Sequence, residues 1–121
     1  MSRSIDDLTP GARQKCNNWL WESRKQLKPL GLGLILTETY RPQEVQNALY
    51  AKGRTTKGPI VTWTRKSKHT ERRAWDCAFR LPDGSLTWNG PWALLGKIAK
   101  SFGITWGADI TNGIDRCHFQ V

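Results

Sequence analysis

The chain holds only two histidines, His69 and His118, and only one methionine and three cysteines among 121 residues. The cysteines, Cys16, Cys77 and Cys117, are odd in number and never stand in a CxxC spacing. That argues against a disulfide framework and for reduced, buried thiols. Carboxylates are also few: 10 acidic side chains face 19 basic ones, a formal charge of +9. A surface this basic favours a polyanion, whether nucleic acid, an acidic envelope polymer or an anionic membrane face. No apolar run reaches the ~18 residues of a membrane span. Met1 to Asp7 lacks the apolar core of a secretion signal. The expectation is synthesis in the cytoplasm, no stable membrane insertion, and outside help for any export. Tryptophan, by contrast, is abundant: the 7 residues are expected mostly in the core or in a pocket wall.

The length suits one domain, large enough to bury roughly two-thirds of its unfolded surface. Thr9-Pro10 is a helix start, an N-cap hydroxyl followed by proline at the first helical position. Ala12, Cys16, Trp19 and Leu20 share one helical face, so a helix is predicted from Pro10 to about Gln26, ended by Pro29 and Gly31. Leu32 to Thr39 reads as a strand. Arg41-Pro42 opens a second helix with Val45, Ala48 and Leu49 on its apolar side and Gly53 at its C-cap. Gly53 to Lys68 is basic and reads as loop, with a short extended piece at Ile60 to Trp63. Ala74 to Leu81 alternates. Pro82-Asp83-Gly84 is a turn. A third helix follows Asn89-Gly90-Pro91, then a short strand at Ile104 to Trp106, a loop from Asp109 to Gly113, and a last alternating stretch, Arg116 to Val121. Helices and strands mix without a repeating βα unit, which predicts an α+β fold on an antiparallel sheet.

The two alternating stretches carry the chemistry. Trp75, Cys77, Phe79 and Leu81 point one way and Asp76 the other; Cys117, Phe119 and Val121 point one way and His118 the other. If the bulky sets are core, Asp76 and His118 face one cleft. His69 lies seven positions before Asp76. Two imidazoles and a carboxylate bind a metal ion and leave a coordination position open, as a hydrolase needs and a structural zinc site does not. The thiols Cys77 and Cys117 sit beside these candidates yet alternate to the opposite side. Asp115, in a loop three residues before His118, is placed for proton transfer, although aspartate there also serves ordinary turns. Asp109 lies further from the ligands. Arg41 suits an oxyanion or a substrate carboxylate. No nucleic-acid motif accompanies the charge.

These residues resemble the zinc peptidases that cleave D-amino-acid-containing peptides of peptidoglycan. That family includes the vancomycin-resistance D-alanyl-D-alanine peptidases and phage L-alanyl-D-glutamate endopeptidases. The similarity runs from about Leu34 to Val121. Its pieces are Glu38-Thr39-Tyr40-Arg41, Gln46 to Thr55, Ile60-Val61-Thr62-Trp63, Ser67-Lys68-His69, Ala74-Trp75-Asp76, Trp106-Gly107 and Asp115 to Phe119. The resemblance implies one zinc ion on His69, Asp76 and His118, Asp115 as catalytic carboxylate and Arg41 as the arginine steadying the transition state. It implies that Ser67 holds substrate or orients the site. It also implies a small antiparallel sheet with about three helices packed against it and the zinc in a cleft on the sheet, the D-Ala-D-Ala peptidase or Hedgehog-like fold. The Leu49-Tyr50, Gly53-Arg54-Thr55 and Ile60-Val61-Thr62-Trp63 segments, and aspartate rather than glutamate at 115, resemble the L-alanyl-D-glutamate endopeptidase branch. Many relatives have glycine three residues after the first histidine; here it is Arg72, which bears on the local loop path. The expectation is a single catalytic domain over 1–121 without a cell-wall-binding domain, a monomer of endolysin type that cuts peptidoglycan stem peptides, lyses the host and binds no nucleic acid. The alternatives are a D-alanyl-D-alanine carboxypeptidase and a non-catalytic peptidoglycan-binding zinc module.

Overall fold

The computed structural model describes residues 2–121. Its fold is α+β on an antiparallel sheet. The sheet is built around β2, Ala74–Arg80, whose backbone pairs on both edges. One edge takes β1, Gly33–Glu38. The other edge is shared: β5, His118–Gln120, covers the first half of β2, and β3, Leu86–Thr87, covers the second. Outside β5 lies β4, Thr105–Trp106. The predicted alternation of β2 holds for Trp75, Cys77 and Phe79, all fully buried in the core, but not for Leu81, which follows the strand's end and is exposed. Ala74 and Ala78, on the Asp76 side, are fully buried too. Their methyl groups are small enough for other chain to lie over that face, so it is not a bare solvent surface.

Helix α1, Pro10–Leu27, has the expected start: Thr9 Oγ1 accepts from the Ala12 amide at 3.3 Å. Its inward stripe is Ala12, Cys16, Trp19, Leu20, Ser23 and Leu27. Trp19 is the hub, its ring centroid 4.5 Å from Phe119 and 5.8 Å from Trp75. A buried indole N–H needs an acceptor, and Trp19 Nε1 finds the Leu95 carbonyl at 3.1 Å. That carbonyl belongs to α3, Trp92–Ser101. So α1, α3 and one face of the sheet enclose a single core, and Asp76 lies on the opposite face.

Several expectations are corrected. Helix α2, Gln43–Ala51, buries the amide Gln46 fully, while Ala48 is exposed. Its inward position thus satisfies polar groups rather than apolar ones. The segment Ile60 to Trp63 pairs with no strand, and Ile60, Val61 and Trp63 are exposed. Gly107–Ile110 forms a one-turn helix, α4, where a loop was expected around Asp109. Asp109 pairs with Lys100 at 3.2 Å, away from the ligands. Most of the tryptophans are in or against the core as expected, namely Trp19, Trp75, Trp92 and Trp106, while Trp21, Trp63 and Trp88 are exposed. The three thiols are free, as expected, and Cys16 and Cys77 are buried.

Arg72 keeps the backbone that glycine would give. Its φ is 60°, in the left-handed region. A side chain there costs roughly 1–2 kcal/mol. Contacts offset it: the guanidinium lies 3.8 Å from the Tyr40 ring centroid, and Nη1 donates to the Asp7 carbonyl at 3.1 Å. Arg72→Ala loses the contacts and keeps the strain; Arg72→Gly loses both. Urea unfolding should therefore find the glycine variant about 1 kcal/mol more stable than the alanine variant. The opposite order would show that backbone strain at this position is negligible.

Candidate metal centre

A single irregularity in β1 assembles one wall of the site. The β1–β2 register runs regularly to Leu36↔Cys77 and then jumps to Glu38↔Asp76. The extra residue is a β-bulge, which turns the following side chain to the other face. Glu38 thereby leaves the core side and lines up beside Asp76. On the other edge Asp76 pairs with His118. Three strands thus present Glu38, Asp76 and His118 as one cross-strand row. His69 arrives from the 3–10-like turn after Ser67 and completes the group. One donor atom each from His69, Asp76 and His118 lies within 4.8 Å of the others.

Both imidazoles are oriented. His69 Nδ1 lies 2.8 Å from the Thr39 carbonyl, which can only accept, so Nδ1 carries a proton and Nε2 is the nitrogen left to bind a metal. Nε2 stands 3.3 Å from Asp76 Oδ1. His118 is turned the other way: Nε2–H donates to Gln120 Oε1 at 2.8 Å, and Nδ1 faces Asp76 Oδ1 at 3.1 Å. Once free of protons, Nε2 of His69 and Nδ1 of His118 converge with the carboxylate as a donor set that suits a divalent metal ion. No thiol joins them. Cys77 lies in the core, and the half-buried Cys117 turns its Sγ to Asp115 Oδ1 at 3.7 Å. Burial raises the Cys77 thiol well above its ordinary value, and burial with the nearby Asp76 and Asp115 charges pushes Cys117 up to about 12.

Arg41 lies at the rim. Its main chain is tied to the site by its amide, which donates to the His69 carbonyl at 3.2 Å. Its guanidinium is gripped by Glu38, through Nη2 to Oε1 and Nε to Oε2, and Nη1 donates to Gln46 Oε1 at 2.6 Å. Glu38 Oε1 is also 3.9 Å from His69 Nε2. Ser67 is buried and its Oγ accepts from the His69 amide at 3.1 Å, a contact that orients the histidine. Asp115 stands outside the three-residue cluster, half-buried in the turn before β5, its amide donating to Thr111 Oγ1 at 2.8 Å. Glu38, Gln46 and Gln120 are site residues that carried no role in the sequence reading. Gln120 had a signal, since alternation puts it on the His118 face. Glu38 had none, because alternation without the bulge puts it in the core.

Residues 61–121 match the profile of the M15 peptidase family described as D-alanyl-D-alanine carboxypeptidase. The chain belongs to the M15 peptidase family. The M15 peptidases are metal-dependent, and the His69–Asp76–His118 group is a possible site for the ion. A curated relative, the peptidoglycan L-alanyl-D-glutamate endopeptidase CwlK of Bacillus subtilis (strain 168), is 36% identical over 103 residues, covering 75% of this chain. The match takes in 62% of that relative's length. Among solved structures, the L-Ala D-Glu endopeptidase ChiX of Serratia marcescens has a TM-score of 0.69 at 18% identity, covering 99% of this chain and 86% of its own. VanYB, solved with D-alanine-D-alanine, has a TM-score of 0.56 at 17% identity, covering 88% and 68% respectively. Both share the M15 fold. No helix among the described residues is long and apolar enough to cross a membrane.

The site's charges set a pH dependence. Burial pushes the Asp76 carboxyl up, but the hydrogen bonds from His118 and His69 outweigh it and hold Asp76 well below the usual carboxylate range. Burial likewise disfavours charged His118, yet its bond to Asp76 and the charges of Asp76 and Asp115 raise it overall. In the metal-free protein the His118–Asp76 pair therefore stabilises fully below the ordinary histidine pKa of about 6.5. That contribution is lost as pH rises through the higher folded value. Asp76's own contribution is present above the ordinary carboxylate pKa of about 4 and is lost only as pH falls through its depressed one. Metal binding has the reverse dependence on His118, because a ligand must shed its proton. Below the raised pKa, apparent affinity should fall about tenfold per pH unit, as one proton is released per ion. A chelator-competition titration across pH 5–8 checks this; a flat profile would remove His118 from the ligand set.

Proposed function

We propose that the chain is a zinc-dependent endopeptidase hydrolysing the L-Ala–D-Glu bond of peptidoglycan stem peptides. The observation that carries it is the pair of oriented imidazoles converging with Asp76 on one point. The bond assignment draws on the relatives named as endopeptidases for that bond. His69 Nε2, Asp76 and His118 Nδ1 would hold the ion. A bound zinc supplies Lewis acidity at the scissile carbonyl and lowers the pKa of water to about 7. Asp115 takes the proton of the attacking water and returns it to the departing amine. Arg41 offsets the charge that develops on the carbonyl oxygen. Three of its five N–H donors are engaged by Glu38 and Gln46, which leaves two for substrate. Glu38 fixes the plane of the guanidinium by gripping two of its nitrogens. Ser67 sets the path of the chain into His69.

The role is of the phage-endolysin type, in which a +9 chain adsorbs to an anionic wall and lyses the cell as a monomer. A turbidity assay on permeabilised cells tests lysis. A D-alanyl-D-alanine carboxypeptidase is the second reading, favoured by the description of the matching family profile. Mass spectrometry of digested peptidoglycan, with and without chelator, separates the two. New peptides with N-terminal D-Glu, absent when chelator is present, support the endopeptidase. Released D-alanine supports the carboxypeptidase. No product from either bond leaves only a binding module. Elemental analysis of the purified protein identifies the metal.

A further inference from the structure

Between Lys52 and Lys68 the chain has 6 cations and no carboxylate. Lys68 pairs with Glu71 at 3.1 Å. Arg54 and Arg65 have no carboxylate within 4.0 Å among the described residues. Yet both are held in place. The Arg54 guanidinium lies 3.9 Å from the Tyr50 ring centroid and 5.5 Å from that of Trp63. It donates to the Tyr50 carbonyl at 2.5 Å and twice to the Thr62 carbonyl at 3.2 Å. The Arg65 guanidinium lies 4.7 Å from the same Tyr50 ring, and its main-chain carbonyl is pinned by Gln43 Nε2 at 2.8 Å. With Asn47, Ala51 and Thr55 these side chains wall a cleft of about 550 Å³. Trp63 is 81% exposed beside it.

Two guanidinium groups sharing one aromatic ring repel each other, and no acid among the described residues lies within 4.0 Å to relieve them. The cation–π contacts and carbonyl bonds that hold them there preorganise the pair for an anion. The planar forks match a carboxylate, and the exposed Trp63 ring beside the half-buried Tyr50 ring gives an apolar surface alongside. The cleft is also joined to the metal centre. Buried Gln46 accepts from Arg41 Nη1 and donates through Nε2 to the Thr64 carbonyl at 2.6 Å, in the same loop that carries Thr62 and Arg65. One side chain therefore sets the spacing between the arginine at the rim and the arginines of the cleft.

We propose that this cleft is a second binding subsite, taking a free carboxylate of the stem peptide away from the bond that is cut. The inference rests on the peptidoglycan reading above. The test is calorimetric titration of the metal-loaded protein with synthetic γ-D-Glu–L-Lys–D-Ala, and with the same peptide amidated at each free carboxylate in turn. Arg65→Gln removes the charge and leaves the main-chain bond to Gln43, so the loop stays in place; circular dichroism checks this. The expected result is a loss of affinity of at least tenfold in Arg65→Gln. One amidated peptide should bind the unaltered protein about as weakly, and Arg65→Gln should no longer distinguish it from the free acid. Equal affinity of the variant and the unaltered protein overturns the subsite, as does no measurable binding of any peptide. Unchanged peptide affinity with weaker binding to phosphate-bearing cell wall overturns the carboxylate assignment and gives the cleft to a wall polymer. The two readings fail separately. Arg65-dependent peptide binding by a protein that cuts no stem peptide keeps the subsite and removes the endopeptidase. Cleavage with Arg65-independent binding does the reverse.

Discussion

Asp115→Ala is expected to keep its fold and its metal while peptide hydrolysis falls by about 10²–10⁴-fold, the usual worth of a general base. The structure separates this residue from the ligands. Its carboxylate lies outside the group formed by His69, Asp76 and His118, and its contact to Thr111 runs through the main-chain amide, which alanine retains. The Cys117 thiol loses its partner at Asp115 Oδ1, a weak bond at 3.7 Å. A second readout distinguishes proton transfer from a structural role. The Asp115 charge is one of the influences raising His118. Removing it should shift the metal-binding profile slightly toward lower pH, so that the variant holds its ion at least as well in mild acid. Activity within tenfold of the unaltered protein would take the base assignment away from Asp115. Loss of the ion would make Asp115 part of the metal cage.

The sequence made half of this centre legible through strand periodicity. Alternation in two stretches placed Asp76 and His118 on one face and the thiols of Cys77 and Cys117 off it, and the sheet is built that way. Pairing Asp76 with His118 needed only the register of β2 against β5. His69 was different, since it sits in an irregular turn where no periodicity acts, and only tertiary structure brings it in. Glu38 was invisible for a physical reason. Its strand alternates correctly through Leu36, and the bulge that follows reverses the facing of everything after it. Gln46 was hidden by the opposite expectation, that the inward side of a helix is apolar. Its amide is buried because Arg41 and the Thr64 carbonyl need a partner there. Helix α4 spans four residues, too short for a helical repeat to be visible.

Gly107→Ala is the substitution that should damage the centre most without touching a ligand or the base. A Cβ at this position would overlap the Asp115 carbonyl oxygen and stand 2.9 Å from both the Cβ and the carbonyl oxygen of His118. Two of these are main-chain atoms and the third is bonded directly to one, so no side-chain rotation relieves the contact. The chain from Asp115 to His118 must move, and with it the proposed base and the third ligand. Overpacking of this kind costs about 1–3 kcal/mol of stability. Misplacement of reacting groups by an ångström costs about 10²-fold in rate, so activity should fall at least that far while much of the protein remains folded. Metal affinity should drop with it, because His118 loses its alignment with Gln120 and Asp76. Gly11→Ala is the control: nothing lies within 4 Å of its added methyl group, and it sits in α1. Alanine there should be neutral or stabilising by up to about 1 kcal/mol. Thermal unfolding, metal content and peptide cleavage measured on both variants decide the matter. A Gly107→Ala protein with full activity and metal would mean that the turn before β5 is free to shift without disturbing catalysis.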